Sequence, residues 1–198
     1  DRDRQECLVP ASDLVMVSIL TVRALHQIVS TANIPLGSNS VGQSMDTMEE
    51  RIRALPQNQA WAVQDVKFPA DGGQTIANAL RQGMAIAVSD GSFRAQMGTA
   101  AWVIEGNDST NRISGCVSIP GSPSSHDLYR SEAGGIYGVA VIVHLLCQQF
   151  DIKEGSIIMG CDGKDALQHC MELDWVLNVG KSHFDMVMAT RNMIKTTN

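Results

Sequence analysis

The chain has 198 residues and a net charge of −6, from 15 basic and 21 acidic residues, and 44% of its residues are hydrophobic. This length and apolar content suffice for one sizeable core with an extension, or for two very small domains. The negative charge argues against strong autonomous binding of DNA or RNA, because contacts from basic residues to phosphates dominate that affinity. It leaves open a site whose positive charge comes from bound metal ions.

Cysteine usage and apolar segments indicate the compartment. The five cysteines form an odd set without a C-x-x-C pair, which predicts reduced thiols in an intracellular protein, in the cytoplasm or nucleus. The sequence shows no secretory signal and begins with Asp1, so we expect a piece of a longer product that is not secreted. The two longest apolar runs, 14–29 and 134–147, are too short or too interrupted to predict a membrane span.

Residues 1–80 are predicted to form an N-terminal helical extension or connection segment that carries no obvious chemistry. A first helix is predicted from a cap at Ser12 and Asp13 to about Ser30, because apolar residues recur there at helical spacing. Three short elements are predicted to follow: a helix at 45–55, a strand at 61–68 and a helix at 75–82.

The remaining part, residues 81–198, carries a sharper signal and opens with MAIAVSDGSFRAQMGTAAWVIEG at 84–106. A first apolar strand is predicted to end at Asp90, which the alternation places on the same face as Ile86 and Val88. A carboxylate where a buried strand ends can hold a metal ion at the edge of a core. The alternative is an ordinary hairpin, since Asp-Gly is among the commonest turn dipeptides.

Two further strands, at 98–105 and about 112–119, are predicted to complete an antiparallel meander. A long helix is then predicted from about 126–129 to 150, with one apolar face at three- and four-residue spacing. Gly134 and Gly135 each cost this helix about 1 kcal/mol relative to alanine, which close packing of the helix on the sheet would explain.

A fourth strand is predicted at 156–161, followed by helices at 164–171 and about 185–195. Because a long helix connects the meander to it, the fourth strand is expected to run parallel to the first. The sequence therefore predicts an α/β fold with a mixed sheet, in which three antiparallel strands precede a parallel fourth.

Three acidic residues stand out by their positions. Asp90 ends the first predicted strand, Glu132 lies near the start of the long helix, and Asp162 ends the fourth strand. If the first and fourth strands are parallel neighbours, both aspartates emerge at one edge of the sheet and the crossover helix brings Glu132 over them. Clustered carboxylates without a basic partner repel one another, so such a cluster implies a divalent cation. Oxygen ligands suit Mg²⁺ or Mn²⁺ rather than zinc.

Four segments, in this order, resemble the type 1 ribonuclease H domain carried by retroelement reverse transcriptases: SDGSF, GTAAWVIE, YRSEAGGIY and IIMGCDGKDAL. The resemblance covers roughly Met84 to the C-terminus. It implies an RNase H-like α/β fold and endonucleolytic cleavage of the RNA strand of an RNA–DNA hybrid. It also implies two Mg²⁺ or Mn²⁺ ions, and reverse transcriptase or polyprotein domains upstream.

The same resemblance implies the roles of the site residues. Two-metal hydrolysis places the cations about 3.5–4 Å apart, where they activate a water and stabilise the leaving 3′-oxygen. Asp90 is then expected to bridge both metals, Glu132 to bind one of them and orient the water, and Asp162 to complete the set of ligands. Ser92 and Arg94 are weaker candidates for contacts with the hybrid backbone, whose RNA strand is distinguished by its 2′-hydroxyls.

The chain departs from the family pattern at its end. It stops at Asn198, before the family's fifth strand, its Gly-His loop and the terminal helix with a fourth acidic residue. Asp185 opens a predicted helix, where N-capping is its expected role, and His126 and His183 are poor substitutes for the loop histidine. These departures predict a fragment that binds metal weakly and cuts slowly or not at all.

Two other functions compete with the nuclease. The first is a catalytically inactive RNase H-like domain that serves as a structural or tethering element of a retroelement-derived polyprotein, and the missing end and the negative charge favour it. The second is a small α/β phosphate-binding module, which is weaker because no P-loop or G-x-G-x-x-G follows a strand.

Overall fold

The computed structural model describes residues 17–23, 47–107, 110–173, 176, 179–180 and 182–197, the first of these ranges as backbone only. The strands of this part are β1 (Val17–Arg23), β2 (Asp65–Lys67), β3 (Ala85–Arg94), β4 (Met97–Glu105), β5 (Arg112–Ser118) and β6 (Glu154–Cys161). Its helices are α1 (Met48–Arg53), α2 (Gln57–Ala60), α3 (Gln74–Gln82), α4 (Leu128–Gln149), α5 (Lys164–Met171) and α6 (Phe184–Thr197). Short 3-10 turns cover Trp61–Val63 and Pro123–Ser125.

The strands form one mixed sheet in the order β1-β6-β3-β4-β5-β2. β3, β4 and β5 make the predicted antiparallel meander, and β6 runs parallel to β3 as predicted. The α/β class and this central topology are therefore confirmed. The sheet is larger than the four strands predicted, because β1 pairs antiparallel with β6 at one edge and β2 pairs with β5 at the other.

The N-terminal part differs from its predicted secondary structure. Residues 17–23, predicted as part of the first helix, form β1. Four of the seven residues in its sequence VSILTVR are β-branched, which favours a strand once β6 offers a partner for its backbone. The predicted cap at Ser12 and Asp13 and the predicted end at Ser30 lie outside the described residues. The strand predicted at 61–68 is likewise reduced to a 3-10 turn followed by β2.

The Asp90-Gly91 dipeptide does not form a turn. β3 continues through Asp90 and Gly91 to Arg94, and both residues pair with β4. The chain reverses instead at Ala95 and Gln96, whose φ angles of 50° and 62° are those of a two-residue hairpin turn. The prediction that the first strand ends at Asp90 is therefore wrong, and Asp90 lies within a paired strand.

α4 is the central helix of the core and packs on one face of β3 and β4, beside α5 and α6. A Cβ atom on Gly135 would lie 3.0 Å from Ser89 Cβ, and one on Gly138 would lie 2.8 Å from Trp102 Cδ1. The predicted close packing of this glycine-rich helix on the sheet is confirmed. By length and composition α4 could also span a bilayer, but 89% of its most apolar window is buried inside the protein, as in a core helix.

Candidate metal centre

Glu132 is placed by the start of α4, where the helix crosses β3. Asp127 caps the helix by accepting a hydrogen bond from the Arg130 backbone N–H at 2.8 Å. The Glu132 side chain is only 3% exposed, and two glycines allow this part of α4 to lie close to the sheet. A Cβ atom on Gly91 would lie 2.7 Å from the Ser131 carbonyl carbon, and one on Gly163 would lie 2.7 Å from Glu132 Cγ. The carboxyl group therefore reaches the sheet because these two positions carry no side chain.

Glu132 meets the end of β6. Its carboxylate, the Asp162 carboxylate and the Cys161 thiol each offer a ligand atom, and these three atoms lie within 4.8 Å of one another. The Cys161 thiol donates a hydrogen bond to Glu132 Oε2 at 3.0 Å. Glu132 and Cys161 are buried, whereas Asp162 is exposed. The convergence of Glu132 and Asp162 follows from the parallel pairing of β3 with β6 through the crossover helix.

The electrostatics of the group favour a cation. Burial is the main reason that the pKa of Glu132 is raised to about 7; the hydrogen bond from Cys161 opposes the rise and the charge of Asp162 adds to it. Burial also raises the pKa of the Cys161 thiol to about 12, with the neighbouring Glu132 as a further cause. Within the described ranges, neither carboxylate forms an ion pair with a lysine or arginine.

Asp90 lies outside this group. Alternation along β3 points Ser89 and Gly91 toward α4, and Asp90 toward the opposite face of the sheet with Ile86 and Val88. The prediction that Asp90 shares a face with Ile86 and Val88 is confirmed, but this face is exposed to solvent: Ile86 is 47% and Val88 41% exposed. Because Ser89 pairs with Cys161, the backbones of Asp90 and Asp162 nevertheless come next to each other at the same end of the sheet. The structure thus joins Glu132 to Asp162 and leaves the Asp90 carboxylate on the other face.

The two weaker candidates follow Asp90 along β3. Ser92 lines the same shallow depression as Asp90 on the exposed face, together with Asp65, Thr99 and Cys116 among others. Arg94 is exposed at the end of β3, next to the hairpin turn. Both side chains are therefore accessible from the face that carries Asp90.

Cys161 was not predicted as a site residue. It is buried, as the apolar pattern of the strand indicates, and it lies on the α4 side of β6 with Ile157 and Met159. The available signal was its position directly before Asp162, which places a thiol beside any group that contacts the end of this strand. Its contact with Glu132 depends on how closely α4 packs on the sheet at the glycines, and the hydrophobic periodicity of the sequence does not encode that distance.

The remaining polar residues near the start of α4 link this end of the helix to the α6 region and to β4. Arg130, 7% exposed, donates to Asp185 through both terminal nitrogens, at 2.9 and 2.8 Å. His183 Nε2 lies 2.7 Å from Asp127 Oδ2. His126 Nδ1 accepts a hydrogen bond from the Gly98 backbone N–H at 2.8 Å. Asp185 and the two histidines thus hold the fold around α4 rather than joining Glu132 and Asp162.

Replacing Asp185 with Asn is expected to lower the free energy of unfolding by about 2 kcal/mol near neutral pH, since it removes the charged acceptor of a buried guanidinium. The bonds from Arg130 hold the pKa of Asp185 below its usual value. The stabilisation is therefore complete above the unfolded-state pKa and is lost as the pH falls through the folded-state pKa. Urea titrations at several pH values measure the difference.

The matched control is Asp151→Asn, because Asp151 pairs with Lys153 and both side chains are largely exposed to solvent. This exposed pair is expected to contribute less than about 0.5 kcal/mol. Equal effects of the two substitutions would show that the Arg130–Asp185 contact does not stabilise the fold.

Comparison with known proteins adds no family assignment: no protein-family model, curated protein or solved structure matches the chain. The features that bear on function are therefore the chemistry of Glu132, Cys161 and Asp162 and their place at the end of the β3–β6 pair.

Proposed function

We propose that this chain is a metal-dependent endonuclease of the type 1 ribonuclease H kind, which hydrolyses the RNA strand of RNA–DNA hybrids. One observation carries the proposal: the buried Glu132 carboxylate lies with Asp162 at the end of a parallel strand pair, without an ion pair in the described ranges. A buried carboxylate is costly unless it is protonated or neutralised by a cation. The ordered resemblance of the four sequence segments supplies the substrate class.

The donor set fits Mg²⁺ or Mn²⁺. Carboxylate oxygens are the ligands that these hard cations prefer, and the open positions at Gly91 and Gly163 keep the Glu132 carboxylate at the end of the sheet. Glu132 and Asp162 would hold the metal, with Asp90 as a third carboxylate at the adjacent register position. When bound, two such cations supply an activated water and neutralise the charge that develops on the leaving 3′-oxygen.

The chain's own residues contribute orientation and recognition. Cys161 donates to Glu132 Oε2 and thereby fixes the position of that carboxylate. Ser92 and Arg94, accessible on the face that carries Asp90, offer a hydroxyl and a guanidinium to the phosphates of the hybrid. Glu132 holds a proton below about pH 7, and that proton must leave before the carboxylate can act as a ligand.

The affinity for Mg²⁺ is expected to fall about tenfold for each pH unit below about pH 7, because the proton on Glu132 competes with the metal. Above that pH, where the carboxylate is ionised, the affinity should level off. Calorimetric titration of the free protein with Mg²⁺ between about pH 5.5 and 8.5 measures this dependence. In Glu132→Gln the slope should disappear; an affinity that is flat with pH in the unmodified chain would contradict the assignment of Glu132 as a ligand.

The activity itself is tested with an RNA–DNA hybrid labelled on either strand. With Mg²⁺ or Mn²⁺ the RNA strand should be cut and the DNA strand left intact, and the reaction should stop when the metal is chelated. Asp90→Asn should abolish the cleavage, whereas Asp65→Asn, the same change on the same exposed face of the sheet, should not. Cleavage that survives Asp90→Asn would exclude Asp90 from the site.

A second function, that of an inactive RNase H-like structural or tethering domain, is favoured by two observations. The Glu132 carboxylate is engaged by the Cys161 thiol, and the Asp90 carboxylate lies on the other face of the sheet. This function predicts an intact fold that neither binds Mg²⁺ nor cuts the hybrid. The Mg²⁺ titration and the cleavage assay described above therefore separate it from the nuclease.

A further inference from the structure

The Cys161 thiol gives the carboxylate pair a different metal chemistry from that of an all-oxygen site. Its Sγ atom and the oxygens of Glu132 and Asp162 lie within 4.8 Å of one another. Thiolate sulfur favours softer cations such as Zn²⁺ and Co²⁺ over Mg²⁺. Two carboxylates and one thiolate also match the three protein ligands of a tetrahedral site whose fourth position is held by water.

The Ser89 hydroxyl points independently to a ligand at this place. Ser89 is 2% exposed, and among the described residues its Oγ atom has no hydrogen-bond partner. It pairs with Cys161 in the β3–β6 register and both side chains are buried, so the hydroxyl lies beside the thiol without a hydrogen bond of normal geometry. The thiol donates its own proton to Glu132 and is a weak acceptor, whereas a metal-bound thiolate accepts hydrogen bonds readily. Metal binding would therefore give the buried hydroxyl a strong acceptor in place of the weakly accepting thiol.

The site is open to solvent on one side. A cavity of about 330 Å³ borders Glu132, Asp162 and Gly163, so a cation can reach both carboxylates from solvent. The thiol is in direct contact with Glu132, one of the residues that line the cavity. Ligand atoms around a tetrahedral zinc are about 3.5 Å apart at the usual bond lengths, and Cys161 Sγ and Glu132 Oε2 are 3.0 Å apart. Small rotations of the two side chains would therefore suffice for coordination.

From this geometry we infer that Glu132, Cys161 and Asp162 form a site for one thiophilic divalent cation of the Zn²⁺ class. The cation takes the Cys161 sulfur, one oxygen from each carboxylate and a water. The thiol proton is released to solvent, and Ser89 donates its hydroxyl proton to the thiolate.

The cation site does not require the chain to be a nuclease, but one of its consequences rests on the proposed nuclease function. Because Glu132 and Asp162 belong to both sites, a Zn²⁺-class cation should compete with Mg²⁺ and inhibit cleavage. Cys161→Ser should relieve this inhibition, since only the softer cation uses the sulfur. If the chain proves inactive toward hybrids, the cation site is still measurable by direct binding.

Co²⁺ is the probe, because a cobalt–thiolate bond adds a charge-transfer absorption band in the near ultraviolet that carboxylate ligation does not. The full chain, reduced and free of metal, is titrated with Co²⁺ alone. One equivalent should produce the band, and Zn²⁺ should displace it. In Cys161→Ser the band should be absent and the Zn²⁺ affinity lower by more than about tenfold. The control is Cys116→Ser, which removes an exposed thiol from the other face of the sheet and should leave the band unchanged.

A second variant keeps the test decisive if Cys161→Ser fails to fold. Asp162→Asn changes an exposed side chain and should shift the cobalt titration to higher concentration by about tenfold. The inference is overturned if no band forms, if the band persists in Cys161→Ser, or if Asp162→Asn leaves the titration unchanged.

Discussion

Replacing Glu132 with Gln is expected to abolish Mg²⁺-dependent cleavage of hybrid RNA, with a loss of more than about a hundredfold, while making the fold more stable above pH 7. Gln keeps the shape of the side chain and can still accept the hydrogen bond from Cys161. It removes the charge that the metal requires, and with it the cost of a buried carboxylate. Opposite effects on activity and stability are characteristic of a residue retained for function.

The stability difference between Glu132→Gln and the unmodified chain should depend on pH. The pKa of Glu132 is about 7 in the folded chain, above the ordinary value of 4.5. Between these values the folded state holds the proton more tightly than the unfolded state, so Glu132 lowers the stability progressively as the pH rises from 4.5 to 7. The advantage of Glu132→Gln should therefore be absent in acid and complete above about pH 7, where it reaches at most about 3 kcal/mol.

Urea unfolding at about pH 4, 6 and 8, together with single-turnover cleavage, measures both effects. Glu154→Gln on β6 is the matched control, since Glu154 is exposed and should change the free energy of unfolding by less than about 0.5 kcal/mol. If Glu132→Gln lowered stability at pH 8 and left cleavage intact, Glu132 would be a structural residue and the proposed centre would be wrong.

Gly91→Ala is expected to lower the free energy of unfolding by about 2–3 kcal/mol, because the added methyl group meets the backbone of α4. Its Cβ atom would lie 2.7 Å from the Ser131 carbonyl carbon and closer still to the Glu132 nitrogen. Backbone atoms in the first turns of a core helix move only if the helix itself shifts away from the sheet. The same shift would carry Glu132 away from Asp162, so metal affinity should fall as well.

Gly160→Ala on β6 makes the same chemical change in the neighbouring strand and serves as the control. Its Cβ atom would meet nothing closer than Val88 Cγ2 at 3.7 Å, an ordinary contact. Removing a glycine there should be neutral or stabilise by up to about 1 kcal/mol, because alanine restricts the unfolded chain. Equal losses in the two variants, measured by urea titration, would show that the approach of α4 to Gly91 is not a tight contact.

The parts of the fold that were predictable from the sequence are those with strong local patterns. The 22 residues of α4 carry an uninterrupted helical repeat, and a crossover helix of that length requires β6 to run parallel to β3. β1 was predicted as a helix because its apolar spacing suits either structure, and pairing with β6 decides between them. Pairing with β4 likewise extends β3 through Asp90 and Gly91, although Asp-Gly is common in turns.

The candidate site was predictable only in part, for a similar reason. Glu132 and Asp162 converge because the chain topology brings α4 over the end of β6, which the order of elements already implied. The prediction for Asp90 took the face with Ile86 and Val88 as the buried one. The small residues of β3, Ala85, Ala87, Ser89 and Gly91, face α4 instead, because a glycine-rich helix packs closely only on small side chains.

A crystal structure of the chain with Mn²⁺ tests the central claim most directly, because anomalous scattering locates the metal without prior assumptions. We expect Mn²⁺ in contact with oxygens of Glu132 and Asp162, and an Asp90 oxygen turned around the end of the sheet to reach the same ion or its neighbour. Manganese bound elsewhere, or an Asp90 carboxylate that stays more than about 10 Å from the other two, would contradict a two-metal nuclease site.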